Sequence, residues 1–189
     1  MKGMVMIRNI VVVACAGFVM GCSMTAPQYT PSVANIGQMK AIKLTPMAVE
    51  KVVPDAALGS NNESIGLRAS SLSSPTGSYS SYLEEALKSE FQAAGLLDQA
   101  STTKLSGILV KNDVNVGGFS TGDSIVEARV KVMKAGTVAY DKLKTATLQF
   151  ESSFAGAVAI PKGRDMYPVT VQKFIEVLIS DNDFISALK

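Results

Sequence analysis

The chain has 189 residues, with 18 Lys and Arg against 16 Asp and Glu, two cysteines, no histidine and no tryptophan. This length is enough for one domain with its own hydrophobic core. Without histidine the chain cannot build a Ser-His-Asp or Cys-His catalytic site or a His-ligated zinc site. No concentrated basic patch points to nucleic acid as a partner. We therefore expect no enzyme, no cofactor and no metal.

The first 21 residues are predicted to be a secretory signal peptide. Lys2 and Arg8 form a short basic opening, and an apolar run over 10–20 follows and ends at Gly21 and Cys22. A charged start, an apolar middle and a small residue at the cut are typical of such signals. The run is too short to span a hydrocarbon layer about 30 Å thick. An ordinary signal with a chance cysteine and an N-terminal core helix are the alternatives.

The end of this run, Val19-Met20-Gly21-Cys22, resembles the lipobox of bacterial lipoproteins. The resemblance implies cleavage between Gly21 and Cys22, a diacylglycerol on the Cys22 sulfur, and an acyl chain such as palmitate on the new amino group. Three chains would hold the protein in a membrane permanently, whereas one chain anchors only marginally. By the same resemblance Ser23, in place of Asp, implies the periplasmic face of the outer membrane rather than the inner membrane.

Residues 22–38 are predicted to be a lipidated tether, because they contain two prolines and few large apolar residues. One periplasmic domain is expected over 39–189. Its first strand is predicted over 39–45, where Ile42 and Leu44 alternate with polar residues, with a possible continuation over 47–53. Residues 59–81 are rich in Ser, Gly and Asn and are expected to form a long loop with a short strand around 65–67.

A helix over 82–94 has the clearest signals in the chain. Ser81 and Glu84 have the spacing of a capping box, and Gly95 supplies a left-handed C-terminal cap. Glu84 and Lys88 are four residues apart, which favours an ion pair on the helix surface. The apolar stripe that would pack on a sheet consists of Leu83, Ala86, Leu87, Phe91 and Ala94.

Three strands are predicted next, over 104–116, around 126–132, and over 138–150, as an antiparallel meander with one solvated face. A last helix is expected over 166–180, with Pro168 in its first turn. Its buried stripe comprises Val171, Phe174, Ile175 and Leu178. The predicted fold is α+β with two layers: an antiparallel sheet of about four strands and two amphipathic helices on one face.

Two further segments bear on function. Residues 152–161 are apolar and rich in small side chains, so they form either a tightly packed connection or a surface patch facing lipid or a partner. The patch would consist of Phe154, Ala157, Val158 and Ile160. Two acidic pairs are present: Glu84 and Glu85 are neighbours that do not share a helix face, and Asp181 and Asp183 lack the ligand pattern of a calcium loop. A hydrolase built on them would need a cleft that shifts acidic pKa values.

The order of lipobox, tether, strand, helix ending in Ala93-Ala94-Gly95, meander and C-terminal helix resembles small periplasmic lipoproteins of Gram-negative bacteria. YajG-type lipoproteins and the auxiliary lipoproteins of lipid-handling ABC transporters share this order, and the resemblance implies no catalytic residues. We therefore expect a non-enzymatic outer-membrane lipoprotein that binds or assembles with an envelope protein. The alternative is a carrier for lipid or another hydrophobic ligand, in an apolar pocket between helices and sheet or at the patch.

Overall fold

The computed structural model describes residues 23–189, so the predicted signal peptide with its cleavage site at Gly21 and Cys22 lies outside the described residues. No helix in the described part of the chain is both long and apolar enough to cross a bilayer. A 3-10 segment covers Ala56–Asn62. In chain order the elements are β1 (Ser23–Thr25), α1 (Val33–Ile42), β2 (Ala48–Pro54), β3 (Ser64–Leu67), β4 (Ser70–Ser73), α2 (Tyr79–Ala94), β5 (Thr103–Asn115), β6 (Thr121–Lys134), β7 (Thr137–Glu151), α3 (Gly156–Ile179) and α4 (Asn182–Ala187).

The main sheet has four strands in the order β2-β5-β6-β7. The antiparallel meander β5-β6-β7 is confirmed, and Val126, Ala128 and Val130 are buried as the alternation predicts. The prediction of a purely antiparallel sheet is wrong, because β2 runs parallel to β5. Parallel neighbours need a long crossover, and the segment between β2 and β5, which includes α2, supplies it.

A second sheet of three strands, in the order β1-β4-β3, occupies much of the predicted long loop. The short strand expected around 65–67 is confirmed as β3, and it pairs antiparallel with β4. Ile65, Leu67 and Leu72 are fully buried. Their burial explains why a segment so rich in serine folds into strands: each short strand contributes apolar side chains to the common core.

The segment interpreted as a tether is folded onto the domain. β1 pairs parallel with β4, and α1 begins at the N-cap Ser32, whose hydroxyl accepts a hydrogen bond from the Asn35 amide at 3.3 Å. The predicted first strand over 39–45 is wrong, because Met39 lies in α1 and is fully buried. The alternation of Ile42 and Leu44 spans the end of this helix, where Lys43 is left-handed.

The two long helices are present, with earlier starts than predicted. α2 begins at Tyr79 with Ser78 as its N-cap, so Ser81 is not the cap, whereas the C-terminal cap Gly95 is confirmed with φ of 77°. α3 begins at Gly156, so Pro168 lies inside the helix and not in its first turn. α2 packs against β2 and β5, and α3 packs against β6 and β7, on the buried face of the main sheet.

Aromatic side chains fill the space between the helices and the main sheet. The ring centroids of Tyr79 and Tyr167 are 4.8 Å apart, and those of Tyr82 and Tyr167 are 5.4 Å apart. Phe91 and Phe174 are fully buried beside them. The region in which the carrier hypothesis places an apolar pocket is therefore occupied by the protein's own side chains.

Candidate functional site

Three apolar side chains are exposed together at one end of the main sheet. Phe119 is 80% exposed, Phe154 is 70% exposed and Val158 is 58% exposed. The two phenylalanine rings are stacked, with centroids 5.2 Å apart and an interplanar angle of 14°. We call Phe119, Phe154 and Val158 the aromatic tip. Large exposed apolar groups that cluster in this way are typical of interaction sites.

Strand pairing brings the two loops of the tip together. Phe119 lies on the β5–β6 loop and Phe154 on the β7–α3 loop. Thr121, the first residue of β6, pairs with Glu151, the last residue of β7, so both loops leave the same end of the sheet. The Ser152 amide then donates a hydrogen bond of 2.8 Å to the Ser120 carbonyl.

Arg68 connects both loops to the smaller sheet through side-chain hydrogen bonds. It lies in the turn between β3 and β4 with φ of 53°. Its Nε and Nη2 donate to the Val116 carbonyl at 2.9 and 2.6 Å. Nη1 donates to the Phe154 carbonyl at 2.6 Å, and Nη2 also donates to the carbonyls of Ser153 at 3.0 Å and Gly118 at 3.4 Å. One guanidinium therefore holds four carbonyls in two loops, which fixes the backbone that presents the tip.

The predicted patch residues divide between surface and core. Phe154, Ala157 and Val158 are exposed, whereas Ile160 is half-buried and packs against the core. The neighbouring Ala159 is fully buried. Segment 152–161 thus contains both a packed connection and an exposed surface.

Sequence reasoning missed Phe119 and Arg68. The signal for Phe119 was a lone aromatic residue in the glycine-rich stretch 117–122, where a turn needs no large apolar side chain. Arg68 gave no signal, because its partners lie 48 or more residues away along the chain. Pairings at that separation depend on the tertiary fold and not on local sequence.

The first described residue lies at the same end of the smaller sheet as Arg68. Ser23, the first described residue, pairs with Ser71 of β4. Leu67 of β3 pairs with Ser70, so the β3–β4 turn that carries Arg68 lies at the same end of the smaller sheet as Ser23. The start of the described chain and the aromatic tip are therefore at one end of the molecule.

The two acidic pairs lie on different elements and have local partners. Glu84 of α2 accepts hydrogen bonds from the Val52 amide at 3.0 Å and from Lys88 at 2.6 Å, which confirms the predicted ion pair. Glu85 is exposed. Within residues 23–189 no group of three or more His, Cys, Asp or Glu side chains could hold a metal ion.

Asp181 is the N-cap of α4 and lies in an ion-pair cluster with β7. It accepts hydrogen bonds from Tyr140 Oη at 2.9 Å and from the Asp183 amide at 2.9 Å, and Lys144 Nζ lies 2.5 Å away. Burial alone would raise the pKa of Asp181, but these hydrogen bonds and the Lys144 charge outweigh it and lower the pKa. A carboxylate held ionised in this way joins α4 to the sheet.

The solvent face of the main sheet carries a second area with exposed apolar side chains, which forms a shallow depression. Val53 is 45% exposed and Ile108 is 37% exposed. Together with Gly107 they line a depression that is bordered by charged side chains. These charged neighbours are Lys51, Arg129, Lys131 and Asp141. This depression combines apolar and charged side chains, whereas the three side chains of the aromatic tip are all apolar.

The chain matches no protein-family model and no curated protein. Its fold is similar to solved structures. A protein of the DUF330 family from Xanthomonas campestris superposes with a TM-score of 0.53 at 14% identity, over 83% of this chain and 95% of that one. An uncharacterised protein and a protein described as a "putative lipoprotein" from Caulobacter crescentus CB15 each give a TM-score of 0.45 at 11% identity. Each match covers 82% of this chain, and 93% and 96% of the other chains respectively. The first likeness shows that this chain shares its fold with a DUF330 protein.

Proposed function

We propose that this protein is a non-enzymatic lipoprotein, anchored through lipid at Cys22 to the periplasmic face of the outer membrane, that binds or assembles with another envelope protein. The observation that carries the proposal is the pairing of the first described residues. β1 starts at Ser23, directly after the lipobox cysteine, and is paired with β4. A cut before Cys22 would thus keep β1 in the mature protein and place the acyl chains on the residue bonded to it.

The non-enzymatic part of the proposal rests on side-chain chemistry. The chain has no histidine. Glu84 and Asp181 are engaged with lysines and backbone amides that stabilise the fold. A general base must lie within hydrogen-bond reach of the proton that it removes from a substrate. Because the oxygens of these two carboxylates are occupied by contacts within the fold, we do not propose them as general bases. The sequence order resembles both YajG-type lipoproteins and the auxiliary lipoproteins of lipid-handling ABC transporters, and either type fits this proposal.

Acyl labelling in the native host tests the anchor. The wild-type protein should incorporate a clickable palmitate analogue, and its N-terminal peptide should begin at an acylated Cys22. The Cys22→Ser variant should carry no label and retain its signal peptide. Cys15→Ser is the matched control, because it also removes one cysteine and should be labelled and cut normally. An unmodified Cys22 thiol in protein isolated from the native host would overturn the proposal.

Site-specific crosslinking tests the binding role. A photo-crosslinking residue at Ile108, in the sheet-face depression, should yield a reproducible adduct with an envelope protein in living cells. The same residue at Glu85, on the exposed surface of α2, is the control position. Repeated failure to recover any protein partner from crosslinked envelopes would contradict the assembly role and leave the anchor untouched.

A further inference from the structure

We propose that the aromatic tip contacts the same membrane that holds the lipid anchor, with the rings of Phe119 and Phe154 in the interfacial region of the bilayer. This inference rests on the proposed anchor at Cys22 and adds a second, protein-borne contact with lipid. Two contacts on one face of the molecule would fix the orientation of the domain, whereas a lipid on a single residue would let it turn freely.

The position of the tip is the first argument for a lipid surface. Ser23 and the β3–β4 turn lie at the same end of the smaller sheet, in which β1 and β3 are separated by β4 alone. Two strand spacings of about 4.8 Å therefore separate β1 from β3. The Arg68 side chain spans the remaining gap and hydrogen-bonds the Phe154 carbonyl at 2.6 Å. An acyl chain on the residue bonded to Ser23 would bring the bilayer to this end of the domain.

The composition of the tip is the second argument. The loop residues 116–120 and the segment 152–161 contain no charged side chain. Phe119 and Phe154 form an exposed stacked pair on two loops, so they project from the surface. A small ligand would instead need a concave pocket. Trp and Tyr are enriched where membrane proteins meet the headgroup region, and Phe is among the apolar residues that segments lying on a membrane insert at the headgroup–acyl boundary. A bilayer surface needs no shape complementarity, so it suits a projecting tip.

The third argument is that backbone carbonyls at the tip already have hydrogen-bond donors, as a region with little water requires. A carbonyl that leaves water without a hydrogen-bond partner carries a large desolvation penalty. Arg68 already satisfies the carbonyls of Val116, Gly118, Ser153 and Phe154. These four carbonyls can therefore approach the bilayer interface without losing a hydrogen bond, and the fixed geometry of the loops reduces the ordering that binding requires.

Fluorescence quenching by brominated lipid tests the inference, and the absence of tryptophan from the chain makes the signal unambiguous. Full-length, lipidated Phe119→Trp protein is reconstituted into vesicles of phosphatidylethanolamine and phosphatidylglycerol, with or without brominated acyl chains. Val138→Trp is the matched control. Val138 is 48% exposed and lies at the β6–β7 hairpin, the opposite end of the same sheet. Mass spectrometry of the N-terminal peptide confirms the lipid on Cys22 in each sample.

We expect emission from Phe119→Trp to fall about twofold in brominated vesicles, because a ring at the boundary between headgroups and acyl chains lies close to the bromine atoms. Emission from Val138→Trp should be unchanged. Equal emission from both variants in protein with lipidated Cys22 would overturn the inference and leave the anchor standing. Unlipidated Cys22 would overturn the proposed function and the inference together. A photo-crosslinker at Phe154 that captures an envelope protein or a second copy of this chain, with no quenching at Phe119, would assign the tip to that partner and also overturn the inference.

Discussion

Arg68 shows how one side chain determines the geometry of a surface. Its planar guanidinium carries five N–H donors in a rigid fork, and lysine, with a compact ammonium group, cannot reproduce that pattern. In this fold the fork contacts four carbonyls that belong to two loops. The loops that carry Phe119 and Phe154 therefore depend on a residue of the smaller sheet.

Removal of this fork is predicted to destabilise the protein and loosen both loops. Arg68→Ala leaves four carbonyls without their donor and should lower the free energy of unfolding by about 1–3 kcal/mol. Urea denaturation measures the change. Hydrogen exchange should increase at residues 116–120 and 152–155.

Two variants separate the geometry of the fork from its charge. Arg68→Lys keeps the charge and should recover only a small part of the loss. Arg164→Ala removes an arginine whose ion partner is the adjacent Asp165 and should leave exchange at both loops unchanged. If Arg68→Lys were as stable as the wild type, the positive charge and not the geometry of the guanidinium would account for the stability of the loops, which would contradict the prediction.

At the scale of elements, the N-terminal segment from β1 through α1 is held by a buried carboxylate. Glu90 on α2 is fully buried. Its Oε1 accepts hydrogen bonds from the Tyr29 hydroxyl at 2.6 Å, the Ser32 amide at 3.0 Å and the Asn35 side chain at 3.1 Å. Tyr82 adds a hydrogen bond of 2.9 Å to the Pro27 carbonyl. These contacts hold the segment against α2, whereas a tether would move independently of the domain.

Loss of this acceptor is predicted to release the segment. Glu90→Ala leaves the Tyr29 hydroxyl and the Ser32 backbone amide without their acceptor and should reduce stability by about 1–3 kcal/mol. Limited proteolysis should then cut within 26–35 before the rest of the domain. Glu85→Ala, on the same helix but exposed, is the control and should leave this segment resistant. A Glu90→Ala protein with unchanged protection over 26–35 would refute this role for Glu90.

Local sequence signals predicted the elements that carry their own pattern. The apolar stripe and Gly95 specified α2, and strict alternation specified β6 and most of β7. β1 and α1 could not be predicted, because a three-residue strand and a helix with almost no amphipathic pattern gain their stability from distant partners, namely Ser71 and Glu90. The parallel pairing of β2 with β5 had no local signal for the same reason. Of the candidate site, segment 152–161 was found and Phe119 was not.

At the scale of the whole molecule, residues 23–189 share one continuous core, and all five tyrosines of the chain contribute to it. Burial is the main cause that raises the pKa of each of these phenols: Tyr29, Tyr79, Tyr82, Tyr140 and Tyr167. Hydrogen bonds to Glu90 and Asp181 raise the pKa of Tyr29 and Tyr140 further. The folded protein therefore keeps its phenols protonated at a pH at which unfolded tyrosine ionises, about 10.

This difference predicts an alkaline limit to stability. Because the folded-state pKa values are raised, the stability they confer is complete below about pH 10 and is lost as the pH rises above that value. Phenolate absorbance should stay low past pH 10 and then rise cooperatively, together with the loss of the native circular dichroism signal. The same titration in concentrated urea, where the phenols are solvated, is the control and should show ordinary ionisation. Gradual ionisation centred near pH 10 in a chain that remains folded would contradict the prediction.

With the proposed lipid on Cys22, the short connection from the anchor to β1, which begins at Ser23, would hold the domain close to the membrane. β6 contains 14 residues, which at about 3.3 Å each extend some 45 Å from the tip to the β6–β7 hairpin. A disordered tether would let the domain range over a large volume, whereas a domain joined directly to the proposed anchor would stay at one fixed height. A protein that binds it would then have to come within that height, so binding would be confined to a thin layer above the lipid surface.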